Sequence, residues 1–159
     1  MFTTLRNCSA FWLVVFLGLC AVVSTTCSNS VTGPSNVPKD RGSVKVSINP
    51  NPVSYSGKPV TDTPDCADLP HTRYYDQIFT ESAGVGVTLT ARVDFFDGFV
   101  VNDLKGLIIV IPPHGTLTLR ARWCSGHPIA HTALSTFSGT DDIGGPVNVT
   151  TPTINLQKP

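Results

Sequence analysis

Hydrophobic and polar residues alternate along much of this chain with a period of two. The pattern is strongest between Gly115 and Cys124, where the apolar positions are Leu117, Leu119, Ala121 and Trp123. A second clear stretch covers residues 84–97, with a polar face made of Thr88, Thr90, Arg92 and Asp94. Alternation of this kind is typical of strands that bury one face. Both stretches are therefore predicted to be core strands.

Shorter apolar runs and the turn residues between them predict about seven to nine strands in all. Asp97-Gly98 predicts a two-residue hairpin turn, because both residues accept a positive φ. Asn102–Gly106 predicts a break, and the continuous apolar run Leu107–Ile111 predicts a fully buried or core-edge strand. Val53–Val60 predicts a broken edge segment, and Gly139–Gly145 predicts a turn. With no helix expected after residue 26, the pattern favours an all-β fold, either a two-sheet antiparallel sandwich or a small barrel.

Two segments carry a family resemblance. Phe137–Gly145 and Ile48–Val53 resemble the turns and strand ends of bacterial immunoglobulin-like domains. The resemblance covers roughly residues 43–157. It implies an immunoglobulin-like β-sandwich with Greek-key connections that works outside the cytoplasm, and it carries over no catalytic residue.

The first 26 residues have the features of a signal peptide. Arg6 gives a weakly basic start, residues 10–23 are apolar, and polar residues 24–26 follow. The apolar run of about 14 residues is short for a membrane span, which needs about 20, although a retained anchor is the competing interpretation. We therefore expect a signal peptide and signal helix at 1–26, a flexible polar tether at 27–42 and the β-sandwich domain at 43–159.

The charge balance excludes two classes of partner. The chain has 11 basic and 11 acidic side chains, and loss of Arg6 with the signal would leave 10 against 11, a net charge of −1. Such a surface has neither the basic footprint of a nucleic-acid binder nor a polybasic membrane patch. We therefore expect no nucleic-acid partner, and membrane contact only through an N-terminal lipid. We also expect a monomer with a protein or glycan partner.

The five cysteines fall into separate groups. Cys8 and Cys20 lie in the predicted signal, and the simplest assignment pairs Cys66 with Cys124 in a disulfide. Cys27 resembles the lipid-modified first residue of bacterial lipoproteins, while cleavage after Ser24 is the alternative. Because Trp123 and Cys124 are adjacent in a strand, they should point to opposite faces. We expect Trp123 in the core and the disulfide as a staple at the rim of the sandwich.

No sequence motif for catalysis is present. The chain lacks a Ser-centred nucleophile elbow, a phosphate-binding loop and a dinucleotide fingerprint, so no enzyme, no catalytic residue and no cofactor are predicted. His127 and His131 with Cys124 could be drawn as metal ligands, but Pro128 argues against the helix that their spacing requires. The aspartates could bind calcium but are better explained as turn residues, so no metal is predicted: Asp62, Asp65, Asp68, Asp141 and Asp142.

Two groups of residues are candidates for contact with a partner. Phe96 and Phe99 flank the predicted Asp97-Gly98 turn, where an aromatic ring could contact a protein or a sugar. The alternative is that both rings cap the core. Three arginines are expected on polar sheet faces together with Asp94, either in cross-strand ion pairs or in contact with an anion or glycan: Arg92, Arg120 and Arg122.

These features predict an exported, non-enzymatic structural or protein-interaction module of the bacterial cell envelope. It would be secreted or extracytoplasmic, and anchored to the membrane if Cys27 carries a lipid. The first alternative is a small carbohydrate- or calcium-binding module that uses the Phe96–Phe99 hairpin or the aspartate loops. A hydrolase built from loop Asp and His residues is the least favoured.

The intact mass of the mature protein from its native membrane fraction tests export, lipidation and the disulfide together. We expect either a lipid-modified chain that begins at Cys27 or an unmodified chain that begins at Thr25, because both remove the apolar run. A mass that retains residues 1–26 would contradict cleavage of a signal peptide and favour the retained anchor. Peptide mapping without reduction should find Cys66 joined to Cys124, and a bridge from Cys27 to either of them would contradict the pairing.

Overall fold

Eight strands form two antiparallel sheets in residues 40–159, the part of the chain that the computed structural model describes. The strands are β1 (Val44–Asn49), β2 (His71–Glu81), β3 (Val87–Phe96), β4 (Phe99–Ile111), β5 (Thr116–Ser125), β6 (His131–Asp141), β7 (Pro146–Thr150) and β8 (Ile154–Leu156). One sheet has the order β1-β2-β5, and the other has the order β4-β3-β6-β7 with β8 also paired to β6. This immunoglobulin-like sandwich confirms the predicted fold class.

The predicted signal peptide, nearly all of the tether and Cys27 lie outside the described residues. Within residues 40–159, no helix is long and apolar enough to cross a membrane. The one helical element in this range is a 3-10 turn, Pro64–Cys66, in the loop before β2. Val53–Val60 forms two isolated bridges, Val53 to Leu156 and Tyr55 to Arg73, in place of a strand.

The core lies between the inner faces of the two sheets and is divided into two clusters. In the first cluster, the rings of Phe79 and Phe137 meet edge to face with centroids 5.1 Å apart. The second cluster joins Tyr75 to the C-terminal strand β8, and its fully buried members include Val53, Ile154 and Leu156. Burial of large side chains on this scale is the main favourable term in folding such a domain.

A β-bulge at Thr90 reverses the faces of β3. Leu89 lies opposite Gly139 of β6 and Ala91 lies opposite Ser138, so Thr90 is an extra residue with no partner on β6. Side chains on a strand alternate, so one inserted residue moves every later side chain to the other face. Before the bulge, the side chain of Leu89 faces inward. After it, the inward side chains are those of Arg92, Asp94 and Phe96. The prediction that Arg92 and Asp94 lie on a solvent-facing polar surface was therefore wrong.

Glycines in the two neighbouring strands accommodate this bulge. A Cβ atom at Gly139 of β6 would overlap the carbonyl oxygen of Thr88 and lie 2.6 Å from the Cα of Leu89, so only glycine fits there. On the other side, Gly106 of β4 has a φ of +71°, which favours glycine, and the register of β4 against β3 shifts there.

Two local predictions were wrong in extent, and the structure decides between the alternatives of a third. The break expected at Asn102–Gly106 is absent, because β4 runs through it and absorbs the irregularity at Gly106. For the run Leu107–Ile111 the structure agrees with the core-edge alternative, because β4 ends its sheet: Ile111 is buried, while Ile108 and Val110 are 83% and 56% exposed. The turn expected at Gly139–Gly145 is shorter, because β6 continues to Asp141.

The only glutamate of the chain, Glu81, joins three loops at the end of β2. Its side chain is buried, and its carboxylate accepts four backbone N–H bonds of 2.7–3.1 Å, from Ser43, Ala83, Gly84 and His114. Burial raises the pKa of Glu81, but these four donors outweigh that effect and lower it from 4.5 to about 2. The ionised carboxylate therefore closes this end of the sandwich.

Glu81→Gln should destabilise the protein on the order of 3 kcal/mol at neutral pH, because an amide cannot satisfy four N–H donors. Since the folded-state pKa is lowered, the carboxylate stabilises the wild type fully above pH 4.5, and this stabilisation is lost as the pH falls towards 2. Urea unfolding from pH 7 to pH 2 should show a smaller loss in the variant. Asp68→Asn, at an exposed site, is the control; if Glu81→Gln matches it, this role for Glu81 is wrong.

Candidate functional site

The hairpin between β3 and β4 separates the two predicted contact residues. Asp97 and Gly98 have φ values of +48° and +85°, so the predicted two-residue turn is confirmed. Phe96 points inward, and its ring centroid lies 5.2 Å from Trp123 and 4.7 Å from His131. Phe99, on the other side of the turn, is 75% exposed. The ring of Phe96 therefore caps the second core cluster, and Phe99 alone is presented to solvent.

Strand β4 is a long edge strand with exposed apolar side chains. It pairs with β3 on one side only and ends the five-stranded sheet. Its 13 residues include a group of exposed hydrophobic side chains: Phe99, Val100, Val101, Leu104, Ile108 and Val110. An edge of this kind offers backbone N–H and C=O groups to another extended chain.

Charge and backbone geometry divide this edge into two halves. Asp103 and Lys105 form an exposed ion pair of 2.7 Å near the middle of β4, next to Gly106. Charged side chains and an irregular backbone prevent an edge strand from pairing with the edges of other molecules and aggregating. The half that follows Gly106, residues 107–110, has no charged side chain. This segment, called the β4 edge below, is the least protected part of the strand.

An open cleft of about 700 Å³ lies between the two sheets, on the side where β4 and β5 form their edges. Tyr75 and Gln77 of β2 line it from one sheet, and Asp94 and Ser135 line it from the other. These four polar residues are all at most 2% exposed. The half-buried rings of Phe96 and Trp123 form part of the wall, and Asn102 of β4 lies at the opening.

Asp94 organises the polar groups of the cleft. Its Oδ1 accepts a 2.6 Å hydrogen bond from Ser135, and its Oδ2 accepts bonds from Arg92 (2.9 and 2.7 Å) and from Asn102 (3.1 Å). The paired charges of Asp94 and Arg92 cancel, and the hydrogen bonds satisfy the buried carboxylate.

Tyr75 supplies a hydroxyl beside this group. It accepts a 2.9 Å hydrogen bond from the indole Nε1 of Trp123. Burial raises the pKa of Tyr75 to about 12, so the hydroxyl keeps its proton at every physiological pH.

The disulfide forms one wall of the cleft. Cys66 of the 3-10 turn and Cys124 near the end of β5 are bonded, with Cα atoms 5.7 Å apart. The bridge ties the loop before β2 to the rim of the sandwich, in the position that we expect for a staple. Trp123 faces the space between the sheets, but it is only half-buried, because it borders the open cleft. Cys27 lies outside the described residues.

The other two arginines lie on the outer side of β5. Arg120 makes a 3.0 Å ion pair with Asp76 across the β2–β5 ladder and lies over the ring of Tyr74. Arg122 pairs with Asp62 at 3.0 Å. The Arg120 contact is the cross-strand ion pair that was expected, whereas the partner of Arg122 lies in the loop before β2. Each guanidinium therefore has a carboxylate partner.

Asp141 and Cys124, two of the residues considered as metal ligands, are engaged in internal contacts. Asp141 accepts hydrogen bonds from the backbone of Gly42, Ile143 and Gly145, which outweigh burial and lower its pKa. Cys124 is in the disulfide, so it is not available as a ligand. Across residues 40–159, no three His, Cys, Asp or Glu side chains lie close enough together to hold a metal ion.

Ser125, His131 and Asp97 form a hydrogen-bonded chain that the sequence motifs did not reveal. The Oγ of Ser125 lies 2.9 Å from Nε2 of His131, and Nδ1 of His131 lies 2.6 Å from a carboxylate oxygen of Asp97. Burial raises the pKa of Asp97, but hydrogen bonds from Thr132 and His131 lower it overall. The same order of groups activates the nucleophile of serine hydrolases.

The position of Ser125 does not suit a nucleophile. It is 6% exposed, and its Oγ accepts a 3.0 Å hydrogen bond from the N–H of His127. A smaller cavity of about 260 Å³ touches Asp97 and His131 but is not lined by Ser125. The three residues therefore connect the start of β6 to the hairpin and to the end of β5, which is a structural role.

Regular alternation along β3 puts Arg92, Asp94 and Phe96 on the outer face of the sheet. They face the cleft because the bulge at Thr90 exchanges the two faces of the strand. A usable signal was present in the two glycines inside strand patterns, Gly106 and Gly139, since glycine in a strand often marks a bulge. Tyr75 and Gln77, the cleft residues on β2, could not be predicted from alternation, because polar residues of that strand are buried among its apolar ones: Arg73, Gln77 and Glu81.

Comparisons with known proteins identify the fold alone. No family model and no curated protein matches the sequence. A Bordetella pertussis protein solved under the name ApaA is 16% identical, with a TM-score of 0.55 over 77% of this chain and 98% of that chain. The structural-genomics target SoR45 is 14% identical, with a TM-score of 0.57 over 74% and 88%. The CARDB domain of a Pyrococcus furiosus protein is 13% identical, with a TM-score of 0.46 over 77% and 94%.

A fluorophosphonate probe, which labels activated serines, should not label this protein, because Ser125 is buried and its oxygen is already hydrogen-bonded. Ser125→Ala should instead destabilise the fold by about 1–3 kcal/mol, since His131 loses a partner. Ser82→Ala, at an exposed site, should change stability by less than about 0.5 kcal/mol. Labelling of the wild type that disappears in Ser125→Ala would contradict the structural role and support a hydrolase.

Proposed function

We propose that this chain is an exported, non-enzymatic interaction module of the bacterial cell envelope, and that it binds an extended segment of another protein along the β4 edge. The observation that carries the proposal is the combination of a free sheet edge with exposed Ile108 and Val110. An extended peptide can add a strand at such an edge, with backbone hydrogen bonds for affinity and alternate side chains for specificity.

The layout of β4 favours a selective partner over general aggregation. The Asp103–Lys105 ion pair and Gly106 protect the first half of the strand, while residues 107–110 stay accessible. Ile108 and Val110 alternate with residues whose side chains are more buried, so they lie on one face and would meet side chains of an added strand. The contact would be short, about four residues, and suits a reversible complex.

Export and the envelope location rest on features of the sequence. The apolar run at residues 10–23 and the polar segment after Cys27 support secretion, with or without a lipid anchor. A disulfide between Cys66 and Cys124 is compatible with an oxidising compartment outside the cytoplasm. The exposed edge would then be presented to other proteins of the envelope.

A photo-crosslinking residue at Val110, introduced in cells that express the full chain, tests this proposal. We expect a discrete adduct between this chain and a different protein on irradiation. Ile108→Lys in the same chain should abolish the adduct, because a charge would be placed against the added strand, while stability changes by less than about 0.5 kcal/mol.

The matched control places the same crosslinker at Thr150, an exposed position of β7 in the same sheet. The proposal is wrong if neither site gives an adduct, if Val110 and Thr150 give the same adduct, or if the adduct from Val110 contains only two copies of this chain.

A further inference from the structure

We infer that the inter-sheet cleft is a binding site for a neutral saccharide of one or two sugar rings. The inference concerns a different surface from the β4 edge and does not depend on the proposed protein partner. It rests on four properties of the cleft that occur together: cations that are all paired with carboxylates, planar hydrogen-bonding groups, exposed aromatic ring surface and a size suited to a small ligand.

The balance of charge selects a neutral ligand. Five charged residues line the cleft: Asp65, Arg92, Asp94, Arg120 and Arg122. Arg92 and Asp94 bind each other through two contacts of 2.7 and 2.9 Å. Arg120 and Arg122, at the rim, each have an aspartate partner on the outer side of the sheet. An anionic ligand would therefore find no free cation. A cationic ligand would find only Asp65, which is exposed to solvent, because reaching Asp94 means displacing Arg92 at a large cost.

Planar polar side chains at the opening of the cleft can form hydrogen bonds with adjacent hydroxyl groups of a sugar. Asn102 uses one N–H on Asp94, which leaves its second N–H and its carbonyl oxygen for a ligand. The guanidinium of Arg92 has five N–H donors, and its Nε and Nη2 atoms bind Asp94. Its side chain is 30% exposed, so other donors can reach a ligand. Adjacent hydroxyls of a sugar both donate and accept hydrogen bonds, and these two residues offer partners of both kinds.

The aromatic wall can receive the apolar face of a sugar ring. Phe96 and Trp123 are tilted by 44° with centroids 5.2 Å apart, and both are half-buried, so part of each ring faces the cleft. Trp123 is held in place because its indole N–H is bonded to Tyr75. The C–H groups on one face of a sugar pack well against such fixed rings, since aromatic side chains lose little conformational entropy on binding.

The size and rigidity of the cleft agree with this ligand class. A volume of about 700 Å³ lies within the range of about 300–1,000 Å³ that is usual for small-molecule sites. The Cys66–Cys124 disulfide holds the loop that forms one wall, and the Asp94 hydrogen bonds fix the floor. A site ordered in advance loses less free energy when the ligand binds.

The full chain, purified with its disulfide intact, should be titrated with glucose, N-acetylglucosamine, maltose, cellobiose and chitobiose. Binding is followed by the NMR shift of the Trp123 indole N–H. We expect a saturable shift with at least one of these sugars at concentrations up to about 10 mM, which would saturate a site with a Kd of 1 mM. Asn102→Ala should weaken that binding by about tenfold, since it removes two hydrogen-bonding groups.

Asn148→Ala, at an exposed asparagine on β7, is the matched control and should bind as the wild type does. Ala121→Phe, which fills the cleft from β5, should abolish binding, with thermal unfolding used to verify that the variant is folded. Glucuronate and inorganic phosphate are titrated in parallel as anionic controls. The inference is wrong if no neutral sugar shifts the Trp123 signal, if Asn102→Ala and Asn148→Ala bind equally, or if only glucuronate or inorganic phosphate binds. None of these variants alters Ile108 or Val110, so this result and the crosslinking result are independent.

Discussion

The extra residue at Thr90 is the constraint on which the open side of this sandwich depends. Because side chains alternate along a strand, one inserted residue exchanges the inner and outer faces of everything that follows. Leu89 completes the apolar core, and three residues later Arg92 faces the same space between the sheets. One irregularity thus lets a single strand supply a hydrophobic core at one end and a polar cleft at the other.

Other contacts of the domain are arranged around this change of face. Asp94 is tolerated between the sheets because Arg92, Asn102 and Ser135 satisfy its carboxylate. Buried charges without such partners are strongly destabilising. The disulfide closes the loop beside the cleft, and β4, the strand that carries the β4 edge, lines the cleft with Val101 and Asn102. Both candidate surfaces are therefore consequences of how β3 and β4 meet.

Much of the fold could be predicted from local pattern, and the cleft could not. The hairpin at Asp97-Gly98 depends on two residues that accept positive φ, so the sequence identifies it directly. The regular alternation of β5 survives in the structure because its ladder with β2 has no register shift. The bulge is different, because it needs Gly139 and Gly106 on two other strands. Only the paired sheet reveals that Phe96 points inward while Phe99 is exposed.

The inward face of β3 after Thr90 can be measured most directly by nuclear Overhauser contacts in the isotope-labelled protein. The account predicts cross-peaks from the ring protons of Phe96 to the Trp123 indole and to the His131 ring, whose centroids lie 5.2 and 4.7 Å away. It predicts no such cross-peaks from Phe95. Contacts from Phe95 to Trp123, with none from Phe96, would mean that β3 alternates without a bulge, and they would contradict the assignment of Arg92 and Asp94 to the cleft.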